Sequence, residues 1–120
     1  MANEITQNIT LSFSKGGANS YFATAVRIDM AGTGYNSSTQ EIGTTAELVD
    51  LTGVTGTPGQ MAIKNLDATN FVEIGGDSGL TVFKIKLRPG KSCLIEPNSG
   101  TIYAKANTAA CLIQKFAIDA

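Results

Sequence analysis

The chain has 120 residues, of which only 16% are charged, and its nine Lys and Arg residues nearly balance ten Asp and Glu residues, giving a net charge of −1. The length predicts a single domain spanning residues 1–120, because one core typically serves about 50 to 200 residues. Near-neutrality argues against nucleic acid as a partner, since such binding depends on cations at the phosphates. We expect no membrane partner and no secretion, because no apolar run approaches roughly 18 residues and the N-terminus lacks a signal pattern.

The first thirty residues alternate apolar and polar side chains, which predicts two strands. In residues 5–13, the apolar positions lie on one side and Thr, Asn and Ser lie on the other. The Gly-rich stretch 15–20 predicts a turn, and residues 21–30 form a second alternating strand. These thirty residues therefore predict a strand, a turn and a longer strand.

The middle of the chain is richer in loop signals. Residues 31–40, "AGTGYNSSTQ", combine two glycines with a polar run, which predicts a surface loop with Tyr35 at its centre. The second part of 41–51 fits a strand or a single helical turn, and we favour a strand. Residues 52–60 predict another loop.

The second half predicts three pairs of consecutive strands. "MAIKNL" and "FVEIG" are joined through "DATN" as a hairpin, with Leu66 and Phe71 in the core. Residues 80–97 predict a hairpin around the turn at Pro89 and Gly90, and residues 101–119 predict two strands around "KANTA". The total is about eight strands without an amphipathic helix. The predicted fold is an all-β antiparallel sandwich of jelly-roll or Greek-key type.

The sequence offers little for catalysis or metal binding. "GGDSG" (75–79) is similar to the surroundings of the serine nucleophile in chymotrypsin-like proteases, but the chain has no histidine to accept the proton. A catalytic serine–lysine pair is the alternative, and a turn is the preferred interpretation, since Gly, Asp and Ser are turn formers. Four acids that could gather around calcium fit no EF-hand spacing and are interpreted as surface residues: Asp67, Glu73, Asp77 and Glu96. We therefore predict no enzyme activity, no catalytic or metal-binding residues and no cofactor.

The two cysteines, Cys93 and Cys111, lie within strand-like runs rather than in a metal-binding spacing. Two reduced, partly buried thiols are the favoured interpretation, with a disulfide as the alternative.

Two features are candidates for partner binding. The predicted 80–97 hairpin carries four cations on one side: Lys84, Lys86, Arg88 and Lys91. They are either a solvated face that deters edge pairing or a docking surface for an acidic protein. Tyr35, in the predicted loop, is a candidate contact residue.

Three stretches of the second half resemble small virion proteins of tailed bacteriophages: "NLDATNFVEIG" (65–75), "FKIKLRPGKSCLI" (83–95) and "IYAKANTAACLIQKFAID" (102–119). The resemblance implies a short β-sandwich without enzymatic activity that decorates or cements the capsid, or belongs to a tail or fibre. The implied partner is the major capsid protein, and the implied location is the virion, after synthesis in the host bacterial cytoplasm. A homotrimer is expected, because capsid lattices offer local three-fold axes.

An alternative hypothesis is a receptor-binding module of a tail or fibre that holds a glycan in its loops. The loop around Tyr35 favours it, whereas the lack of tryptophan, the usual stacking platform for sugars, disfavours it.

Overall fold

The computed structural model describes residues 3–98 and 100–119, which contain strands and turns but no helix. These described residues form ten strands rather than the predicted eight or so, and all their pairings are antiparallel. The strands are β1 (Ile5–Lys15), β2 (Ala18–Ile28), β3 (Tyr35–Ile42), β4 (Glu47–Leu48), β5 (Gln60–Asn65), β6 (Val72–Gly75), β7 (Lys84–Leu87), β8 (Ser92–Ile95), β9 (Tyr103–Ala106) and β10 (Cys111–Ile118). Across the described ranges, no helix has the length and apolar character needed to cross a membrane. The predicted all-β antiparallel class is therefore confirmed.

The chain divides into two compact units, Met1–Ala31 and Gly32–Ala120. The first consists of β1 and β2, and the second contains the other eight strands. The sequence predicts that both units belong to a single domain spanning residues 1–120, and this stays a prediction.

The first unit is a long hairpin whose strands pair over their full length, from Ile5 opposite Ile28 to Lys15 opposite Ala18. Gly16 and Gly17 form the turn with φ of 59° and 85°, a backbone region that costs glycine little and suits two-residue hairpin turns. The two strands and the turn predicted for this part of the sequence are confirmed.

The second unit consists of two four-stranded sheets, with strand orders β3-β10-β5-β8 and β4-β9-β6-β7. Alternate side chains from both sheets form one hydrophobic cluster. Ile63 and Ile113 come from the first sheet, and Val72 and Ile74 come from the second. This packing of two inner faces is the arrangement of a β-sandwich.

The two hairpins predicted for the second half are wrong, although the strands predicted to form them, and the two strands predicted around "KANTA", are present. β5 and β6 lie in different sheets, and so do β7 and β8, and β9 and β10. Alternation of apolar and polar residues shows only that a strand has one buried side. The alternation is the same whether the next strand pairs with it in a hairpin or crosses to the opposite sheet, so the hairpin predictions failed. Leu66 in the β5–β6 connection is exposed rather than part of the core. β6 and β7 do pair, across the loop that contains "GGDSG".

The predicted loop 31–40 is also wrong in its second half, since β3 begins at Tyr35. The polar composition of this stretch suggested a loop, but it forms a strand whose inward side chains hydrogen-bond backbone carbonyls of residues 48–52. Asn36 Nδ2 donates to the Thr52 carbonyl at 2.9 Å, and Gln40 Nε2 donates to the Leu48 carbonyl at 2.9 Å. The strand favoured within 41–51 is confirmed only as the two-residue β4.

Candidate interaction surfaces

One side of the hairpin is apolar and exposed. Residues directly opposite each other in an antiparallel pair share a side, so the register places Leu11 beside Phe22 and Gln7 beside Val26. Leu11 is 74% exposed and Phe22 is 59% exposed. We call this side the hairpin face; its apolar residues beyond the base of the hairpin are Ile9, Leu11, Phe13, Phe22 and Val26.

The opposite side of the hairpin is mainly polar. It carries Thr6, Asn8, Thr10 and Ser12 from β1, with the exposed Tyr21 opposite Ser12. A two-stranded sheet whose sides differ this much in polarity presents the apolar one as a contact surface, since exposed apolar patches on soluble proteins mark interaction sites.

The outer side of the β3-β10-β5-β8 sheet carries a second apolar patch. Phe116 lies opposite Ala62, which in turn lies opposite Leu94, and Ile118 lies opposite Tyr35. Tyr35 is 61% exposed and Phe116 is 47% exposed. We call this patch the sheet face: Tyr35, Ala62, Leu94, Phe116 and Ile118. Tyr35 is therefore exposed, as its candidacy requires, but it belongs to a strand and has apolar neighbours.

The predicted cations Lys84 and Lys86 are exposed on β7, an edge strand of the other sheet. Lys84 Nζ lies 3.7 Å from Glu73 Oε2, and Lys86 Nζ lies 4.3 Å from the centre of the Phe71 ring. Exposed contacts of this kind stabilise by about 0–1 kcal/mol each, so both side chains remain available to a partner.

Arg88 follows β7 and is exposed, and Lys91 is exposed beyond the next turn, where its amide donates to the Arg88 carbonyl at 2.9 Å. Because β7 and β8 belong to different sheets, there is no hairpin side that carries all four cations. We therefore restrict the cationic edge to Lys84, Lys86 and Arg88.

A shallow groove of about 450 Å³ lies beside the cationic edge, and Glu73, Ser78, Lys84 and Lys105 are among its lining residues. Ser78 belongs to the "GGDSG" turn. Asp77 stabilises this turn, since its Oδ1 accepts a hydrogen bond from the Thr81 amide at 2.6 Å. Hydrogen bonds lower the pKa of Asp77, and the one from the Thr81 hydroxyl contributes most, ahead of those from backbone amides. The structure thus supports the turn interpretation, and within the described residues no hydrogen bond joins Ser78 to Lys84.

The stretch "NLDATN" is a hydrogen-bonded connection between sheets. Asn65 is fully buried, and its Nδ2 donates to the carbonyls of Asn70 and Leu87, both at 2.9 Å. Asp67 Oδ2 accepts the amides of Asn70 and Thr69, and these bonds lower the pKa of Asp67. The polar residues of this stretch therefore serve architecture, as the turn chemistry predicted.

Sequence reasoning missed the structural role of Asp119, which is buried. Its Oδ1 accepts the Thr55 amide and its Oδ2 accepts the Gly34 amide, both at 2.8 Å. These bonds lower the pKa of Asp119 and tie two loops to the end of β10. Gly34 is required because a Cβ there would lie 2.1 Å from the Gly53 carbonyl oxygen. A lone aspartate beside an alternating strand has no motif that would reveal this role.

Lys115 was also missed as an interior residue, since lysine in an alternating strand usually marks the solvent side. It is only 2% exposed and lies on the inner side of β10, where its Nζ donates to Ser38 Oγ. Burial lowers the pKa of Lys115, and the charge of Asp50 partly offsets that effect. Its hydrogen-bond partner comes from the polar strand β3, which the sequence had suggested was a loop.

Both cysteines are free thiols, as predicted, with Cys111 buried and Cys93 half-buried. Burial raises the pKa of each thiol, which favours the protonated, unreactive form.

Residues 3–98 and 100–119 contain no group of three or more His, Cys, Asp or Glu side chains placed to hold a metal ion. Comparison with protein-family models, with curated proteins and with solved structures returned no match.

Proposed function

We propose that this chain is a structural virion protein of a tailed bacteriophage that decorates or cements the capsid by binding the major capsid protein. The observation that carries the proposal is the pair of open apolar surfaces, the hairpin face and the sheet face, on a small chain of near-neutral charge. Surfaces of this kind suit a protein that functions within an assembly.

The topology of the second unit supports the proposal. We interpret its strand order as a jelly roll, because its first and last strands, β3 and β10, are neighbours in one sheet while β4 and β9 are neighbours in the other. Jelly rolls occur in viral capsid and lectin domains. A fold does not by itself assign a function, so the jelly-roll order supports the proposal only together with the exposed apolar surfaces.

The buried polar groups also fit a structural role. Asn65 and Asp119 hydrogen-bond to backbone groups of neighbouring segments, and Lys115 bonds to a serine of the adjacent strand. Each of these contacts fixes one part of the chain to another, which gives a rigid body.

The cationic edge is the proposed contact with the capsid. Lys84, Lys86 and Arg88 are exposed at the edge of a sheet, where an acidic protein surface can reach them. Each contact is individually weak, but several linked copies multiply the effect.

Co-sedimentation with purified capsid shells over a salt series tests this contact. The parent protein is expected to sediment with shells and to be released as salt screens the charges. The Lys84→Gln and Lys86→Gln double variant is expected to be retained less at low salt and to depend less on salt. The matched control, Arg27→Gln, removes an exposed cation from the polar side of the hairpin and should behave as the parent. Equal retention of all three proteins would contradict docking through the cationic edge.

The glycan-binding alternative is less favoured by the geometry. Tyr35 lies in β3 beside Ile118, on a sheet surface, and not in the polar loop on which the hypothesis rested.

A further inference from the structure

The two apolar surfaces are both formed by paired antiparallel strands. The hairpin face belongs to a narrow two-stranded ribbon of eleven-residue strands, roughly 35 Å long at about 3.3 Å per residue. The sheet face extends across four neighbouring strands, β3, β10, β5 and β8. A ribbon laid on a sheet brings two such surfaces into contact along their length.

We propose that the hairpin face of one copy packs on the sheet face of the next copy, so that the copies form a closed ring. This deepens the proposed function by naming a second copy of this chain as the partner of the apolar faces, and the number of three copies rests on that function. A head-to-tail contact between two different surfaces closes into a ring when its rotation allows.

Charge complementarity supports this occupant. On β1, Lys15 lies on the same side as Leu11 and four residues further along. On β3, Ser37 lies opposite Phe116, and Glu41 lies on the same side as Ser37 and four residues further along. Both separations are about 13 Å along a strand. Suppose that β1 of one copy lies over β3 of the other in the same direction, with the Leu11–Phe22 pair over the Ser37–Phe116 pair. Lys15 of the first copy then lies over Glu41 of the second.

The area also favours one contact that uses both surfaces. The four most exposed side chains of the hairpin face, Leu11, Phe13, Phe22 and Val26, keep 44–74% of their area in water, so the face offers on the order of 400 Å² of apolar surface. A standard interface buries about 800 Å² on each partner, and one hairpin face reaches only about half of that. A ring gives each copy two such contacts, its hairpin face on one neighbour and its sheet face on the other. Packing two hairpins against each other would leave both sheet faces in water.

Native mass spectrometry and light scattering of the full chain test the ring in the absence of capsids. We expect a closed oligomer, three copies in the simplest case. Leu11→Ser with Phe22→Ser, and separately Phe116→Ser, should shift it to monomer. The matched control, Thr10→Ser with Tyr21→Ser, changes the opposite side of the hairpin and should leave the oligomer intact. A monomeric parent at high micromolar concentration would overturn the proposal.

A charge exchange keeps the test informative if a serine variant fails to fold. Lys15→Glu alone and Glu41→Lys alone should each weaken the oligomer, and combining them should restore it, because the pair is then reversed. Two single variants that weaken assembly without recovery in the double variant would overturn the predicted alignment.

Cross-linking identifies which surfaces meet. In a Cys93→Ser background, a Leu11→Cys preparation mixed with a Phe116→Cys preparation should form mixed disulfide dimers. Dimers of Leu11→Cys alone would indicate paired hairpins, and a disulfide that forms only within a chain carrying both changes would indicate cover by its own sheet. Either result overturns the proposal.

The ring and the proposed function can fail separately. A protein that is monomeric but still sediments with shells would contradict the ring and leave the proposed function intact. A ring that does not sediment with shells would count against the proposed function.

Discussion

Asn65 hydrogen-bonds three backbone groups through one side chain. Its Nδ2 bonds the Asn70 and Leu87 carbonyls, and its Oδ1 accepts the Asp67 amide at 2.9 Å. Asn65→Ala would leave the Leu87 carbonyl buried without this donor, at a cost of about 1–3 kcal/mol for each unsatisfied group. We expect the free energy of unfolding to fall by roughly 2–3 kcal/mol, measured by urea denaturation. The neighbouring exposed variant Lys64→Ala should change it by less than about 0.5 kcal/mol; equal losses in the two variants would contradict this role.

Lys115 gives a pH-dependent prediction. Its folded-state pKa lies below the ordinary value of 10.5, so the folded state releases this proton first as the pH rises. The parent should therefore gain stability between the lowered folded pKa and about 10.5, and the penalty for burying the charged amine is fully present below that window.

Lys115→Met removes the buried charge while keeping an unbranched side chain. We expect the variant to be more stable than the parent by about 1 kcal/mol near neutral pH, since buried charges can be replaced by apolar groups without loss. That advantage should shrink as the pH approaches 10.5. Thermal unfolding across a pH series measures it, with Lys64→Met as the control for an exposed lysine. A constant difference at every pH would show that the amine does not titrate differently in the folded state.

At the level of elements, the hairpin turn gives a local test. Gly16 has φ of 59°, and nothing lies within 4 Å of a Cβ placed there, so a substitution is limited by backbone strain alone. Gly16→Val should cost about 1–2 kcal/mol in the left-handed region, whereas Gly16→Asn should be tolerated because asparagine adopts that region more readily.

Amide hydrogen exchange in β1 and β2 is the suitable measurement, because the core cluster contains no residue of either strand and global unfolding would not report on the turn. Protection should fall in the valine variant and persist in the asparagine variant. Unchanged protection in Gly16→Val would contradict the turn geometry.

Individual strands could be predicted from the sequence where one side is buried, as in β5 and β10, because burial imposes alternation. The exposure of Lys84 and Lys86 followed from the same alternation. The sheet to which each strand belongs could not be predicted, since alternation does not identify the partner strand. The sheet face escaped prediction for that reason: it depends on the register of β10 with β3 and β5, which brings Phe116 near Tyr35.

At the scale of the whole molecule, the second unit contains a complete core. Every residue of the core cluster comes from the part of the chain between Ile42 and Ala117. Removing residues 1–31 should therefore leave a protein that unfolds cooperatively by heat and retains dispersed amide signals in nuclear magnetic resonance spectra. It should also be monomeric, because it lacks the hairpin face. Loss of cooperative unfolding would show that the hairpin is required for the core.

The proposed role as a capsid component is tested by the copy number of this chain in purified particles of a phage that encodes it. Quantitative mass spectrometry should find it in a simple ratio to the major capsid protein, as binding to a repeating lattice requires. It should also be lost selectively when salt releases the cationic edge from the shell. A copy number of only a few per particle would place the chain in a tail or fibre, and its absence from purified particles would show that it is not a virion protein.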